Sequence, residues 1–177
     1  MITQEYLKEC LSYDETTGDF AWIERPLHHF QSDVVKRQCN SKHAGKKAGS
    51  IGNKGYVQIM IGSRLYEGHR LAWLFIYGSF PKNQIDHIDG DRAFNAIVNL
   101  RDVTHAENGK NQKLKKNNTS GKSGVYWYSQ TSKWIAQIRA SDKLIHLGYF
   151  DIFDDAVSAR EAAEIEHGFH KNHGRTA

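Results

Sequence analysis

From residue 113 to 124 the chain reads KLKKNNTSGKSG, a stretch in which Leu114 is the single apolar side chain. Such a segment cannot enter a core, because it has almost no apolar surface to offset the backbone entropy lost on ordering. It interrupts the apolar patterning, so the 177 residues are expected to bury two small cores. The expected division is residues 1–112, a linker 113–123 and a second domain 124–177. The same region carries the charge. Between Arg101 and Val125, six basic residues (Arg101, Lys110, Lys113, Lys115, Lys116, Lys122) stand against two acidic ones (Asp102, Glu107). That difference equals the whole formal excess of +4. A local basic stripe is the electrostatic footprint of a nucleic-acid contact, although charge runs also occur as plain solvated linkers.

Other classes are excluded more simply. No apolar run approaches the roughly 18 residues that span a bilayer. Met1–Cys10 mixes Glu5, Lys8 and Glu9 with apolar residues, which is not a secretory leader. A cytoplasmic protein with no membrane partner is expected. Cys10 and Cys39, without a CxxC pair, leave no four-cysteine zinc site, and no structural zinc is expected.

Periodicity gives an α+β chain. Thr3 can cap a short helix bearing Leu7, Cys10 and Leu11. Asp14–Gly18 reads as a turn and 19–24 as a strand, whereas 26–47 shows no period and reads as a long loop. Val57, Ile59 and Ile61 alternate along a strand, Gly62-Ser63 suggests a type II′ hairpin, and 69–77 reads as a helix stopped by Gly78. Then come strand 84–88, a polar loop, strand 100–103 and a helix opened by the capping box Thr104-His105-Ala106-Glu107. On that helix Asn111, Gln112 and Lys115 would share the face of Asn108.

The chemistry sits in Ile85-Asp86-His87-Ile88-Asp89-Gly90-Asp91, with Asn95, Asn99 and Asn108 following. Adjacent strand residues face opposite ways, so Asp86 and His87 can share one site only where the strand ends. A carboxylate and an amide oxygen are hard donors that suit magnesium or manganese. A neutral histidine suits a general base. Asp86 and Asn108 could hold the metal, and His87 could activate a water.

The segment HRLAWLFIYGSFPKNQIDHIDGDRAFNAIVNLRDVTHAENGKN, from His69 to Asn111, resembles the HNH endonucleases of bacteriophages and their mobile introns. The resemblance implies a small ββα-metal core at 84–112 around one divalent ion, preceded by N-terminal hairpin and helix elements. It implies His87 as general base, Asp86 and Asn108 as metal ligands, and Asn99 as the residue that braces strand against helix. His105 is the rival for the last ligand position, or a group on the substrate side; spacing favours Asn108. In the family an acidic residue often precedes the loop asparagine and a basic one follows it. Here these are Phe94 and Ala96, which leaves Arg92 to meet phosphate alone. Arg101, Lys110, Asn111, Lys113, Lys115 and Lys116 are further expected DNA contacts.

Beyond the linker, three strands and a helix can form a three-stranded antiparallel sheet packed on one helix. Trp134, Ala136 and Ile138 should face the helix, with Lys133, Ile135, Gln137 and Arg139 outward beside Tyr126, Tyr128, Leu144 and His146. Such a face can enter a major groove, where arginine reads guanine and glutamine reads adenine. The spacing from Ser123 to Phe169 resembles the plant APETALA/ethylene-response-factor DNA-binding domain. It departs at Tyr126 and Tyr128, where those proteins often carry arginines. His167, His170 and His173 fall past the helix end and read as a solvated tail. The resemblances imply a homing endonuclease, monomeric or weakly dimeric, that nicks or cuts double-stranded DNA. The rivals are a restriction or structure-specific nuclease, and a DNA-binding regulator with a degenerate core.

Overall fold

A computed structural model describes residues 2–141 and 143–176, and the chain divides into two units, Met1–His105 and Ala106–Ala177. Helices and antiparallel sheets occur in both, so the chain is α+β.

In the first unit the Thr3 Oγ1 accepts from the Tyr6 N–H at 3.2 Å, which starts α1 (Gln4–Cys10) as the capping rule requires. α1 leads into the hairpin of β1 (Leu11–Tyr13) and β2 (Phe20–Trp22), closed through a turn in which Asp14 Oδ1 accepts from the Thr16 and Thr17 N–H groups. The region expected as a long loop contains a 3₁₀ turn (Leu27–His29) and α2 (Asp33–His43), capped by Ser32. None of α2's residues is buried, so it carries no apolar period for a sequence reading to detect.

β3 (Ser50–Ile51), β4 (Val57–Ile61) and β5 (Arg64–Glu67) form a three-stranded sheet. The β4–β5 turn differs from the expected type II′. Gly62 and Ser63 both have positive φ, 54° and 63°, which is the type I′ pattern. α3 (Gly68–Tyr77) lays Leu71, Ala72 and Leu74 into a core shared with Leu7, Leu11, Phe20, Ile59, Ile61, Ile85 and Leu100. Each of the larger side chains contributes about 1.5–3 kcal/mol by leaving water. Gly78, at φ 75°, ends α3 as predicted. β6 (Gln84–His87) and β7 (Leu100–Val103) pair antiparallel, with Asp86 opposite Arg101 and His87 opposite Leu100.

α4 (His105–Gly109) follows β7 and is only five residues long. The longer helix expected to carry Asn111, Gln112 and Lys115 on one face does not form; Lys110 and Asn111 donate to carbonyls three residues back, in single tight turns. In the second unit β8 (Val125–Tyr128), β9 (Lys133–Ala140) and β10 (Lys143–Phe150) form an antiparallel sheet in the order β10-β9-β8. It packs on α5 (Phe153–Glu166) through Val125, Ala136 and Ala156, with Trp134, Leu147 and Phe150 around them. Arg160 is buried on the helix side, donating to the Gln137 carbonyl at 2.5 Å and to Glu164 at 2.8 Å.

The stretch 113–123 is built into this second unit. The Leu114 N–H donates to the Arg175 carbonyl at 2.9 Å, and the Ser120 hydroxyl donates to the Val125 carbonyl at 2.5 Å. The tail past α5, expected to be solvated, is likewise held. The His170 N–H donates to the Lys110 carbonyl at 3.1 Å, and the Gly174 N–H to that of Gln112 at 2.8 Å. These bonds satisfy backbone groups on both segments, which have too few apolar residues to reveal the packing in sequence.

Candidate active site and nucleic-acid face

β6 ends at His87, and the polar loop behind it is closed by its own side chains. The Ile88 N–H donates to the Asn99 carbonyl at 2.9 Å, and the Asp89 N–H donates to Asn99 Oδ1 at 3.1 Å. The Asn99 amide returns two bonds of 2.9 Å, to Asp89 Oδ1 and to the Phe94 carbonyl. Asn99 therefore ties strand end, loop and β7 together. Gly90, at φ 79°, makes the turn that follows His87.

His87 is buried, and its Nε2 lies 3.1 Å from Asn95 Oδ1. The Asn95 amide is itself fixed, since its Nδ2 donates to the Ala93 carbonyl at 3.2 Å. Asn95 Oδ1 can only accept, so Nε2 carries the proton and Nδ1 is the basic nitrogen. Burial pushes the His87 pKa below its ordinary value, partly opposed by the Asn95 bond and by Asp89, Asp86 and Asp91. At neutral pH the ring is uncharged and able to accept a proton. Sequence reasoning noted Asn95 but gave it no role, because its link to His87 depends on how the loop folds back.

Asn95 is in turn held from the N-terminal hairpin. It is 1% exposed, and its carbonyl accepts from the Tyr13 hydroxyl at 2.7 Å. Gly18, at φ 75°, lies so close that a Cβ there would sit 2.2 Å from the Ala96 nitrogen. His69, read from sequence only as a helix residue, packs its ring edge-on to His87 at 5.3 Å between centroids. Tyr56 touches both rings, and the Arg92 guanidinium lies over Tyr56 at 4.9 Å while donating to the Lys54 carbonyl at 2.9 Å. Burial pushes His69 down to about 3, so its 3.3 Å contact with Glu67 comes from a neutral ring. Its Nδ1 is buried without a hydrogen-bond partner.

Asp86 is 8% exposed, and the Arg101 Nε and Nη2 donate to its Oδ2 at 2.9 and 2.7 Å. Arg101, expected to meet DNA, instead balances this buried carboxylate. The donor chemistry fits a hard divalent cation, because a carboxylate oxygen is a hard ligand. Asn108 lies on α4 beyond the division between the units, so Asp86, His87, Asn95 and Asn99 are the residues gathered within the first unit. His105 is exposed, with its Nδ1 3.3 Å from the Gln84 amide nitrogen.

In the second unit, direct cross-strand partners share a face. Arg139 pairs with Leu144, Gln137 with His146, Lys133 with Tyr128, and Ile135 with both Tyr126 and Tyr149. Tyr126, Arg139, His146 and Tyr149 are exposed, while Lys133 pairs with Asp151 at 2.8 Å. Ile135 was expected outward and exposed but is buried on this face, with tyrosines opposite it on both sides. Tyr149 was missed because a register shift between His146 and Gly148 flips the alternation. The other expected contacts divide. Lys113, Lys115 and Lys116 are exposed. Lys110 instead donates to the His167 carbonyl at the end of α5, at 2.7 Å, and Asn111 is buried, accepting from Arg175.

A β-strand that ends in a buried Asp-His pair, with an asparagine-braced loop behind it, is the setting in which an HNH nuclease segment is expected, and residues 66–110 match the family model described as HNH endonuclease. A curated relative, "Protein 3.8" of Escherichia phage T7, is 38% identical over 76 residues, which cover 42% of this chain and 63% of the relative. No solved structure matches the chain significantly. Among the described residues, no helix is long and apolar enough to cross a membrane.

Proposed function

We propose that this chain is a divalent-metal-dependent DNA endonuclease that hydrolyses phosphodiester bonds, with His87 as the general base. The observation that carries this reading is the 3.1 Å contact between His87 Nε2 and Asn95 Oδ1, from which the tautomer follows. Asn95 orients Nε2–H and burial keeps the ring neutral, which makes Nδ1 the basic nitrogen. In the reaction, His87 Nδ1 takes a proton from a water as that water attacks phosphorus. Within the first unit Asp86 is the residue that would hold the ion, magnesium or manganese by donor type, and the family resemblance alone adds Asn108. When bound, the ion supplies positive charge to the phosphate and leaving oxygen. Asn99 keeps Asp89 and the strand end in place, and Arg92 on the loop is the group set to meet a flanking phosphate.

The second unit serves as the DNA-reading part. Its outer sheet face presents Tyr126, Tyr128, Gln137, Arg139, His146 and Tyr149, which combine base-edge donors with apolar contact. The resemblance of 123–169 to the APETALA/ethylene-response-factor domain supports this reading. The resemblance of His69–Asn111 to the HNH endonucleases of phages and their mobile introns favours a homing role, acting on a phage locus. One catalytic core per chain nicks one strand, and a double-strand break takes two copies or two turnovers.

The test is cleavage of plasmid and phage DNA in magnesium or manganese by the wild type and by His87→Ala. Metal-dependent nicks or breaks that fall by about 10²–10⁴ in the variant are expected. DNA binding without cleavage by the wild type in either metal would overturn the nuclease reading in favour of a regulator.

A further inference from the structure

The N-terminal end of the first unit holds a second group of metal-ligating side chains, separate from Asp86 and His87. Glu9 Oε2 lies 2.8 Å from His28 Nε2 and 2.7 Å from His29 Nε2. The ligand atoms of all three residues fall within 4.8 Å of one another. The local chain explains the convergence. Glu9 stands on α1, and His28 and His29 follow Pro26 on the 3₁₀ turn, where their rings meet edge to face at 4.6 Å between centroids. The His29 side chain is completely buried, and its ring stacks on Tyr6 at 4.3 Å between centroids. Its Nδ1 lies 3.6 Å from the Cys10 sulfur. His28 is the open side of the group, with 65% of its side chain exposed.

We propose that Glu9, His28 and His29 form a site for a borderline-soft divalent transition ion, zinc being the best match. Two imidazoles and one carboxylate are a three-ligand zinc set, with water completing a tetrahedron. As hydrogen-bonded groups, both Nε2 atoms must carry protons toward one carboxylate oxygen; an ion replaces both protons and satisfies all three atoms at once. His29 then switches tautomer. Its Nδ1–H donates to the Cys10 sulfur, the outer contact that orients a ligating histidine. Zinc bonds of about 2.0–2.2 Å place ligand atoms roughly 3.3 Å apart, so the group opens by about half an ångström, which the exposed His28 can supply. The bound ion fastens the 3₁₀ turn to α1. The expectation that the chain needs no structural zinc, drawn from cysteine count alone, is replaced by a histidine-carboxylate site.

The experiment uses the full chain, stripped of metal and titrated with zinc chloride against a chromophoric zinc indicator. Thermal unfolding is recorded with and without zinc. The variants are His28→Ala, Glu9→Gln and, as a control on the nuclease centre, Asp86→Asn. We expect wild type and Asp86→Asn to share a zinc site that raises the unfolding temperature. His28→Ala and Glu9→Gln should weaken it by more than the 10–100-fold typical of losing an outer partner, and lose the temperature rise. His28 is exposed, so its variant retains the fold, checked by its circular dichroism. Zinc uptake and thermal shift unchanged in both variants, or no uptake by the wild type at micromolar zinc, would overturn the proposal and leave a hydrogen-bonded cluster.

Discussion

His87 and His69 are both buried imidazoles, and their neighbours give them different duties. His87 is aimed by Asn95, whose Oδ1 and Nδ2 are both committed. Asn95→Ala should leave DNA binding intact and lower the cleavage rate by about 10²-fold, because a misdirected base costs rate rather than affinity. Binding and single-turnover cleavage measured side by side check this; an unchanged rate would remove Asn95 from the catalytic geometry. His69 affects stability. Its pKa is lowered by burial to about 3 against 6.5 for the free side chain. Between those values the unfolded chain binds a proton that the folded chain refuses, so stability is full above pH 6.5 and falls as pH drops toward 3. The slope from this one group approaches about 1.4 kcal/mol per pH unit. His69→Gln should flatten the acid side of a denaturant-midpoint profile by that amount, and a profile parallel to wild type would place the acid sensitivity elsewhere. Asp86, His87 and Asn99 were picked out in sequence by a spacing that resembles the HNH pattern. The contacts of Asn95 and His69 with His87 have no such signal, since they depend on a loop folding back and on the start of α3 lying beside the end of β6.

Elements with a buried stripe were legible, and those without one were not. α3 buries Leu71, Ala72 and Leu74 at helical spacing and was foreseen nearly to the residue. α2 buries nothing and was missed, leaving only its Ser32 cap as a signal. The sheet of the second unit was foreseen in outline, but the bulge at Gly148 was not, and it decides that Tyr149 shares a face with His146. The β1–β2 turn shows how a small element supports the site. Gly18 has φ 75° and presses on the backbone of Asn95 and Ala96. Gly18→Ala combines a disfavoured φ with a clash against backbone that cannot rotate away. It should cost about 1–3 kcal/mol of stability. Because the displaced atoms belong to the loop that aims His87, cleavage should fall beyond what the unfolded fraction explains. Chemical denaturation together with activity well below the melting point separates the two effects, and full activity in the folded variant would disconnect the hairpin from the site.

Across the whole molecule, the basic excess is distributed unevenly between internal bonds and solvent. Arg101 is spent on Asp86, Lys110 on the end of α5, and Lys122 on Glu161 and Glu164. Of the stripe that first suggested nucleic acid, Lys113, Lys115 and Lys116 remain as exposed charge. They lie on a segment fastened by the Leu114 backbone N–H and the Ser120 hydroxyl, so they sit on an ordered part of the second unit. Ordered lysines that meet phosphates lose counterions on binding, and each contact contributes about 0.9 to the slope of log K against log salt. Replacing all three by alanine should therefore lower that slope by up to about 2.7. Affinity should weaken almost equally for cognate and unrelated duplexes, because phosphate contacts position without reading sequence. Arg139→Ala should do the reverse, reducing the preference for the cognate duplex by about 1–3 kcal/mol with a smaller change in slope. Fluorescence anisotropy over a range of potassium chloride concentrations measures both. If the triple variant keeps the wild-type slope, the lysine segment lies outside the DNA interface. If Arg139→Ala changes only the slope, the sheet face holds the backbone and the reading of bases belongs to another surface.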